Sequence, residues 1–486
     1  MGELGSQVVA PPAAVTSPGA AAVVQTEPGQ LSRALGDRQV QFIAIGGAIG
    51  AGLFLASGEA IHKAGPGLLL DYMITGIIVF LIARALGELA IYRPVAGSFA
   101  SYAEEFIGPW AGFLTGWSYW LNWILAGIAE VSAIGIYFHY WYPDLPQWIP
   151  ALCAVIVLYG ANVISVKLYG EIEFWLSLVK VVTILAMIAL GSVIIFFGLK
   201  GTSGPADFSN LWSHGGVFPH GATGVLLALP IAAFSFGGTE VLGLTAGEVK
   251  DPSKSLPKAF NGIIYRILIF YIGALTVIMT LYPWDQLDPK ASPFVLVFAR
   301  IGLPAAAAIV NIVVISAAAS ACNSGLFATS RMLYSMSGSG QAPRFLSHLN
   351  KHQVPSRCLA VSVAMMLLGV LLNYLVPASV FNYAITGVLV FLLWTWIVIM
   401  VSHMRYRRAV QNGSKPGVAF RLPGSPVTNW LVLVFVGVIV ILMAFDPETR
   451  IAFYFAAAWF GVLGAIYFAL GLAGAGRSNG NKTVVT

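Results

Sequence analysis

The stretch Ile45-Gly46-Gly47-Ala48-Ile49-Gly50-Ala51-Gly52-Leu53-Phe54 decides how the rest of the chain is read. It lies inside an apolar run, yet four of the seven positions from Gly46 to Gly52 are glycine. Each interior glycine weakens a helix by about 1 kcal/mol relative to alanine, so this segment is poised to unwind. Gly46 and Gly50 also form a GxxxG pair, and close packing of two helices is the competing reading. A second stretch, Phe234-Ser235-Phe236-Gly237-Gly238-Thr239-Glu240, again puts paired glycines beside polar residues within an apolar run.

The surroundings of both stretches are suited to lipid. The 486 residues are 58% apolar and only 9% charged, too few charges to cover a water-facing surface of that size. The charges cluster between runs of about twenty or more apolar residues, the length that crosses a bilayer. Long runs without alternation form helices, because open sheet edges leave backbone groups unpaired in lipid. Twelve spans follow, near 40–60, 67–92, 109–141, 147–166, 172–198, 221–247, 263–283, 303–336, 358–376, 379–403, 427–445 and 449–473. The fold class is an all-α polytopic membrane protein.

The two glycine-rich stretches fall on spans one and six. An offset of five spans inverts the direction of the chain through the bilayer, as an inverted repeat requires. The expected organisation is a disordered cytoplasmic tail over 1–38, a first repeat over 39–200 and a second over 221–403. Two further spans over 427–473 and a cytoplasmic tail over 474–486 complete it. The segment from Gly198 to Gly221 reads as an outer loop. With the N-terminus inside, five of the 26 lysines and arginines lie on the outer side: Lys63, Lys200, Lys290, Arg300 and Arg450. Lys180 lies within a span and the other twenty face inward, a bias that sets this orientation. No lysine or arginine precedes Arg33, so the positive start of a cleavable signal peptide is missing.

An unwound helix exposes free N–H groups at a positive dipole end and free C=O groups at a negative one. A zwitterion presents the complementary pair. Its carboxylate fits the amides of Gly50, Ala51 and Gly52, and its ammonium fits carbonyls of spans one and six.

Further motifs follow in order: Arg84-Ala85-Leu86-Gly87-Glu88, Gly97-Ser98-Phe99, Gly116-Trp117-Ser118-Tyr119-Trp120, Gly170-Glu171-Ile172-Glu173-Phe174-Trp175 and Ser330-Arg331-Met332-Leu333. Together with the two glycine-rich stretches they resemble the bacterial amino acid permeases of the amino acid–polyamine–organocation superfamily. The branch resembled holds the aromatic, proline, histidine, asparagine, 4-aminobutyrate and D-serine/D-alanine/glycine permeases. The resemblance spans roughly residues 35 to 470. It implies a five-plus-five inverted repeat with discontinuous helices one and six and two extra helices, and secondary transport of an amino acid. It places the substrate carboxylate on Gly50, Ala51 and Gly52 and the ammonium on carbonyls of Ala48, Phe234 and Gly237, with the Phe234 ring as a gate. Gly108-Pro109-Trp110-Ala111-Gly112 and Gly302-Leu303-Pro304-Ala305-Ala306-Ala307 look most like the D-serine/D-alanine/glycine branch. Asp446-Pro447-Glu448-Thr449-Arg450 looks as much like the proline branch.

Three ionisable residues inside spans are the candidates for coupling to a proton. Lys180 lies deep in span five, where a lysine facing lipid is costly. It either snorkels along about 12 Å of helix or faces the interior. Relatives in the superfamily keep a span-five lysine where sodium-driven cousins hold sodium, which implies a proton as coupling ion. Burial disfavours the charged form, so such a lysine can exchange a proton near neutral pH. Ser316 and Ser320 are its expected neighbours. Glu130 is the only carboxylate in the body of span three, and Glu240 follows the span-six break. Each could meet the ammonium or relay protons, and Glu240 has the alternative of capping exposed amides.

Other polar residues carry less chemistry. Trp117, Tyr119, Trp120 and Trp123 either line a pocket or anchor the packing, and Asn122 reads as an interhelical hydrogen-bonder. Seven histidines and three cysteines show no metal-ligand spacing, so no metal and no cofactor are expected. The formal charge of +6 forms no basic stripe, which excludes nucleic acid as a partner; the partners are the amino acid, a proton and membrane lipid. Neutral amino acids are favoured, since only Glu130 and Glu240 count as deep carboxylates. An amino acid sensor on the same fold and an exchanger without net proton coupling are the alternatives. No clustered nucleophile and base suggest an enzyme. The oligomeric state is left open.

Overall fold

Runs of apolar residues interrupted by glycine and proline fold here into α-helices. The structure, a computed structural model, describes residues 35–46, 49–197, 207–288, 292–300, 304–447 and 449–472. Its first expected span is split into α1 (Asp37–Gly46) and α2 (Ser57–Ala64), with a π-helical turn over Gly52–Ala56 leading into α2. Then come α3 (Leu68–Tyr92), α4 (Ser98–Phe106), α5 (Pro109–Phe138), α6 (Trp148–Ile164) and α7 (Val166–Phe197). The sixth span is α8 (Gly221–Ser235) followed by α9 (Val241–Thr245). The seventh is α10 (Pro252–Arg266), a π-helical stretch over Ile267–Gly273, and α11 (Ala274–Leu281). The rest are α12 (Pro293–Arg300), α13 (Pro304–Gly338), α14 (Ser356–Leu375), α15 (Pro377–Gln411), α16 (Val427–Phe445) and α17 (Ile451–Ala469).

Among the described residues nine helices are long and apolar enough to cross a membrane, and α6 and α8 are shorter apolar helices. With the split first span they fall on the twelve expected segments. α5 lies at the centre, packed against α13 and α15, and most of its residues are buried. α7 shows how a lipid-facing helix carries polar groups. Trp175, Val179, Val182, Leu190, Val193 and Phe196 are exposed, whereas Glu173, Ser177, Lys180, Ile184, Met187 and Gly191 are buried. The buried set recurs at three- and four-residue steps, one stripe along a helix. That stripe brings Glu173, Ser177 and Lys180 into the protein, and the snorkelling alternative for Lys180 does not hold.

Three expectations change. Leu35 to Arg38 do not belong to a disordered tail: Leu35 is fully buried and pairs with Val249 in an isolated parallel bridge, and Asp37 begins α1. The seventh helix begins at Pro252, well before 263, because proline is tolerated in a first turn whose N–H groups lack helical partners. α4 and α12 were not expected at all, since each is too short to register as a span. Residues 1–34 and 474–486 of the expected tails lie outside the described residues, as does Ala48.

Candidate functional site

At the first break α1 ends at Gly46 and regular structure resumes at Gly52. The freed groups are met by ionisable side chains from other helices. The Ala51 N–H donates to both carboxylate oxygens of Glu130 on α5, at 3.1 and 3.2 Å. The Lys180 Nζ on α7 donates to the Ile49 carbonyl at 2.8 Å. Lys180 is fully buried and Glu130 is about nine-tenths buried, so both interactions act where water screens little.

The second break lies between Ser235 at the end of α8 and Val241 at the start of α9. It turns back on itself: the Gly237 N–H donates to the Phe234 carbonyl at 2.9 Å, and Val241 N–H to Gly238 O at 3.2 Å. Gly238 has φ 97°, a conformation that L side chains rarely adopt. Its N–H donates to the Glu240 Oε2 at 3.0 Å, and the Tyr119 hydroxyl lies 3.4 Å from the other Glu240 oxygen. This is the capping alternative for Glu240, a carboxylate satisfying the amides of its own break.

Ser235 ties the two breaks together. Its hydroxyl donates to the Gly52 carbonyl at 3.0 Å and lies 2.8 Å from the Tyr72 hydroxyl, while Tyr271 donates to its carbonyl at 2.9 Å. A Cβ on Gly52 would stand 2.9 Å from Ser235 Cα, so only glycine allows this approach. Between the breaks lies a cavity of about 40 Å³, bordered by Gly50, Gly52, Phe234 and Gly237 and, from α5, by Asn122 and Glu130. That is room for about one water, which takes up about 30 Å³ in the liquid, and not for an amino acid. A larger cavity of about 270 Å³ touches Glu59, Lys63, Ile231, Asn382, Ile385 and Asp446. Ile231 and Ile385 sit one helical turn from Phe234 and Val388, which border the smaller cavity.

The two breaks therefore converge, and Gly50, Gly52, Phe234 and Gly237 border one space. Ala51 joins them through an amide that Glu130 already holds. Lys180 stands behind the first break, and Glu240 does not border the cavity. Ser316 turns to the Val313 carbonyl of its own helix, and Ser320 donates to Glu173. Asn122 departs from its expected bonding: its Oδ1 is buried with no partner among the described residues. Of the four aromatics Trp123 borders the cavity. Trp117 and Trp120 donate their ring N–H groups to Gln341 O and Ser362 Oγ, as packing anchors do.

Glu173 was missed as a deep carboxylate. It is fully buried and accepts from Ser177 at 3.2 Å, from Asn323 at 2.9 Å and from Ser320. The Asn162 amide continues the chain to Asn323 at 2.6 Å. Glu248, also fully buried, pairs with Arg331 at 2.7 Å. The count of two deep carboxylates is thus too low, because the same stripe of α7 that buries Lys180 buries Glu173 two turns away. That seven-residue spacing was the available signal.

On the side of α1 the site is closed by polar ties: Arg38 to Glu171 at 3.0 Å, Arg266 to Gln41 at 2.9 Å, and Asp37 with Ser255. Leu35 N–H donates to Glu248 O and Lys250 N–H to Leu35 O, both at 3.1 Å.

Comparison with known proteins gives matches over nearly the whole chain. The family model described as amino acid permease matches residues 39–471. The uncharacterized amino acid permease YtnA of Bacillus subtilis is 46% identical over 449 residues, 92% of this chain and 97% of that protein. The probable threonine/serine transporter YbxG of the same organism is 42% identical, covering 93% of this chain and 98% of its own. The aromatic amino acid transport protein AroP of Escherichia coli (strain K12) is 44% identical, covering 90% and 95%.

Proposed function

We infer the following for this chain, which belongs to the amino acid permease family: it is a secondary active transporter that carries a neutral amino acid, together with a proton, into a bacterial cell across the inner membrane. Amino acid transport is the property of the family, and the multi-pass helical architecture suits it. The neutral side chain is supported by Phe234, Trp123, Ala126, Val388 and Leu392 around the central cavity, and by relatives named for aromatic amino acids and for threonine and serine. The charge bias of the loops supports cytoplasmic termini. The internal arrangement is two five-span repeats with spans eleven and twelve appended.

The observation that carries the reading is the meeting of two helix breaks, with Lys180 bonded to the carbonyl at one of them. In this reading the substrate carboxylate lies on the amides of Gly50, Ala51 and Gly52. Its ammonium lies on the carbonyls of Ala48, Phe234 and Gly237. Lys180 changes charge between access states, and its ammonium occupies the space that a sodium ion would need.

Uptake into proteoliposomes with an imposed pH gradient, with and without sodium, tests it. A screen of the common amino acids and their D-forms identifies the substrate first. The native protein accumulates substrate on an inward proton gradient without sodium, and Lys180→Ala loses accumulation while keeping some exchange. Sodium-dependent uptake, or undiminished accumulation by the variant, refutes proton coupling through this lysine.

A further inference from the structure

Glu130 occupies the place assigned above to the substrate. Its two oxygens share the Ala51 N–H, and the same side chain borders the central cavity beside Gly50 and Gly52. An unwound helix start attracts any carboxylate through its free amides; here the protein supplies one of its own. We propose that Glu130 is an internal competitor for the substrate carboxylate, displaced when it takes up a proton, so that substrate binding and proton binding are one event. This rests on the proton-coupled reading above.

The exchange balances in atoms and charge. A proton from water on the entry side bonds to one oxygen of Glu130, and the charge-assisted bond to Ala51 weakens because a neutral acid accepts less strongly. The substrate carboxylate then takes the Ala51 N–H, so that amide faces one negative charge before and after. The incoming zwitterion is neutral, and the site as a whole gains the single charge of the proton. Asn122, eight residues before Glu130 on α5, lends a second observation. Asn122 borders the same cavity and its buried Oδ1 has no partner among the described residues, which leaves an acceptor for the substrate ammonium. The cavity is too small for an amino acid while Glu130 stays in place, so some wall must yield, and Glu130 is the wall seated on the substrate's donor.

Few other groups can supply that proton dependence. Lys180 faces Glu130 from α7, Tyr137 lies on its own helix, and Cys322 comes from α13. α6 and α17 contain no charged residue, and those of α4, α14 and α15 lie toward the ends of their helices or in α4's last turn, away from this layer.

Binding calorimetry on the purified full chain tests the competition. The probe is the best-transported neutral amino acid from the uptake screen, with L-phenylalanine and L-threonine run first. Comparing buffers of different ionisation enthalpy, the native protein takes up one proton per substrate bound. Its dissociation constant falls about tenfold for each unit of acidification while Glu130 is ionised in the free protein. Glu130→Gln binds with no proton uptake and a flat pH profile, and Glu130→Asp restores the uptake. Binding by the native protein without proton uptake overturns the proposal, and so does uptake retained by Glu130→Gln. A folded, monodisperse Glu130→Gln that does not bind also overturns it, because Glu130 would then hold the substrate and not compete with it. Should Glu130→Gln fail to fold, the native measurement decides alone. Gradient-driven accumulation without proton uptake on binding refutes the competition and leaves proton-coupled transport standing; absence of that accumulation refutes proton-coupled transport itself.

Discussion

At the first helix break the amide of Ala51 is met by Glu130, 79 residues along the chain, and the carbonyl of Ile49 by Lys180, 131 residues along. At the second, the amide of Gly238 is met by Glu240, two residues away. A cap supplied by the break itself travels with it and holds whatever the neighbouring helices do. Caps supplied by α5 and α7 hold only while those helices, their protonation and the occupant of the site allow. The difference assigns the two breaks different work: the sixth span offers a fixed turn, and the first offers one whose partners can be exchanged. Ser235 couples them, since a shift of the first break alters its bond to Gly52 O.

The most severe way to break this arrangement is to remove the space that keeps the first span open. A Cβ at position 50 would press on the Glu130 carboxylate and stand 2.9 Å from Ala321 Cβ, and one at position 52 would strike the Ser235 backbone. Gly50→Val and Gly52→Val are expected to reduce uptake of labelled amino acid to background while the protein still reaches the membrane. Near-normal uptake by both variants would remove the first span from the site.

Next in size is the substrate's own carboxylate. An amino acid amide lacks the charge that, in the proposed exchange, replaces Glu130 on the Ala51 N–H. Hydrogen bonds to charged groups contribute about 1.5–3 kcal/mol, so the amide should compete about 10- to 100-fold more weakly than its parent in the uptake assay. Equal competition would mean that the first break does not hold the carboxylate.

An effect on stability, and not on substrate recognition, is expected behind the first break. Glu173→Ala strands the donors of Ser177, Ser320 and Asn323 in a buried layer. Each stranded polar group costs about 1–3 kcal/mol, and the thermal midpoint in detergent should fall by several degrees. Glu173→Gln, which keeps an acceptor and the volume, should recover part of that loss. An unchanged midpoint in Glu173→Ala would show that water replaces the carboxylate without cost.

The twelve spans, the two breaks and the lysine were legible in the sequence because each follows from a property of a local stretch: apolar length, glycine spacing, or a lone charge inside an apolar run. The partners of the breaks were legible only in part. For Glu240 capping could be named as the alternative to a proton relay because it stands two residues from Gly238. The seat of Glu130 on Ala51 depends on how α5 packs against the first span, which no spacing along the chain encodes. Asn122 was misjudged for the same reason: an amide within a span normally finds an interhelical partner, and this one faces the cavity. Glu173 was hidden by its place near the N-terminal end of α7, beside the half-buried Glu171, which pairs with Arg38. The helix period separates the two acids, since residues two apart on a helix point to different sides.

The smallest effect is expected at the second break, and it is the one that sharpens the comparison. In Glu240→Gln the side-chain carbonyl still reaches the Gly238 N–H, while the amide NH2 stands where the other oxygen met the Tyr119 hydroxyl and can donate to it. Charge-assisted bonds are roughly twice as strong as neutral ones, so the cap weakens without being lost. About 1 kcal/mol at one bond corresponds to a change of about fivefold or less in uptake. The size of the change matters less than its kind. If Glu240 only caps its own turn, the variant keeps native proton uptake on binding and native dependence on the pH gradient, with transport slowed uniformly at every pH. If Glu240 relays protons, the variant instead loses gradient-driven accumulation as Lys180→Ala does. Measuring both variants in one set of proteoliposomes separates the cases, and a pH-selective defect in Glu240→Gln would make the second break as exchangeable as the first.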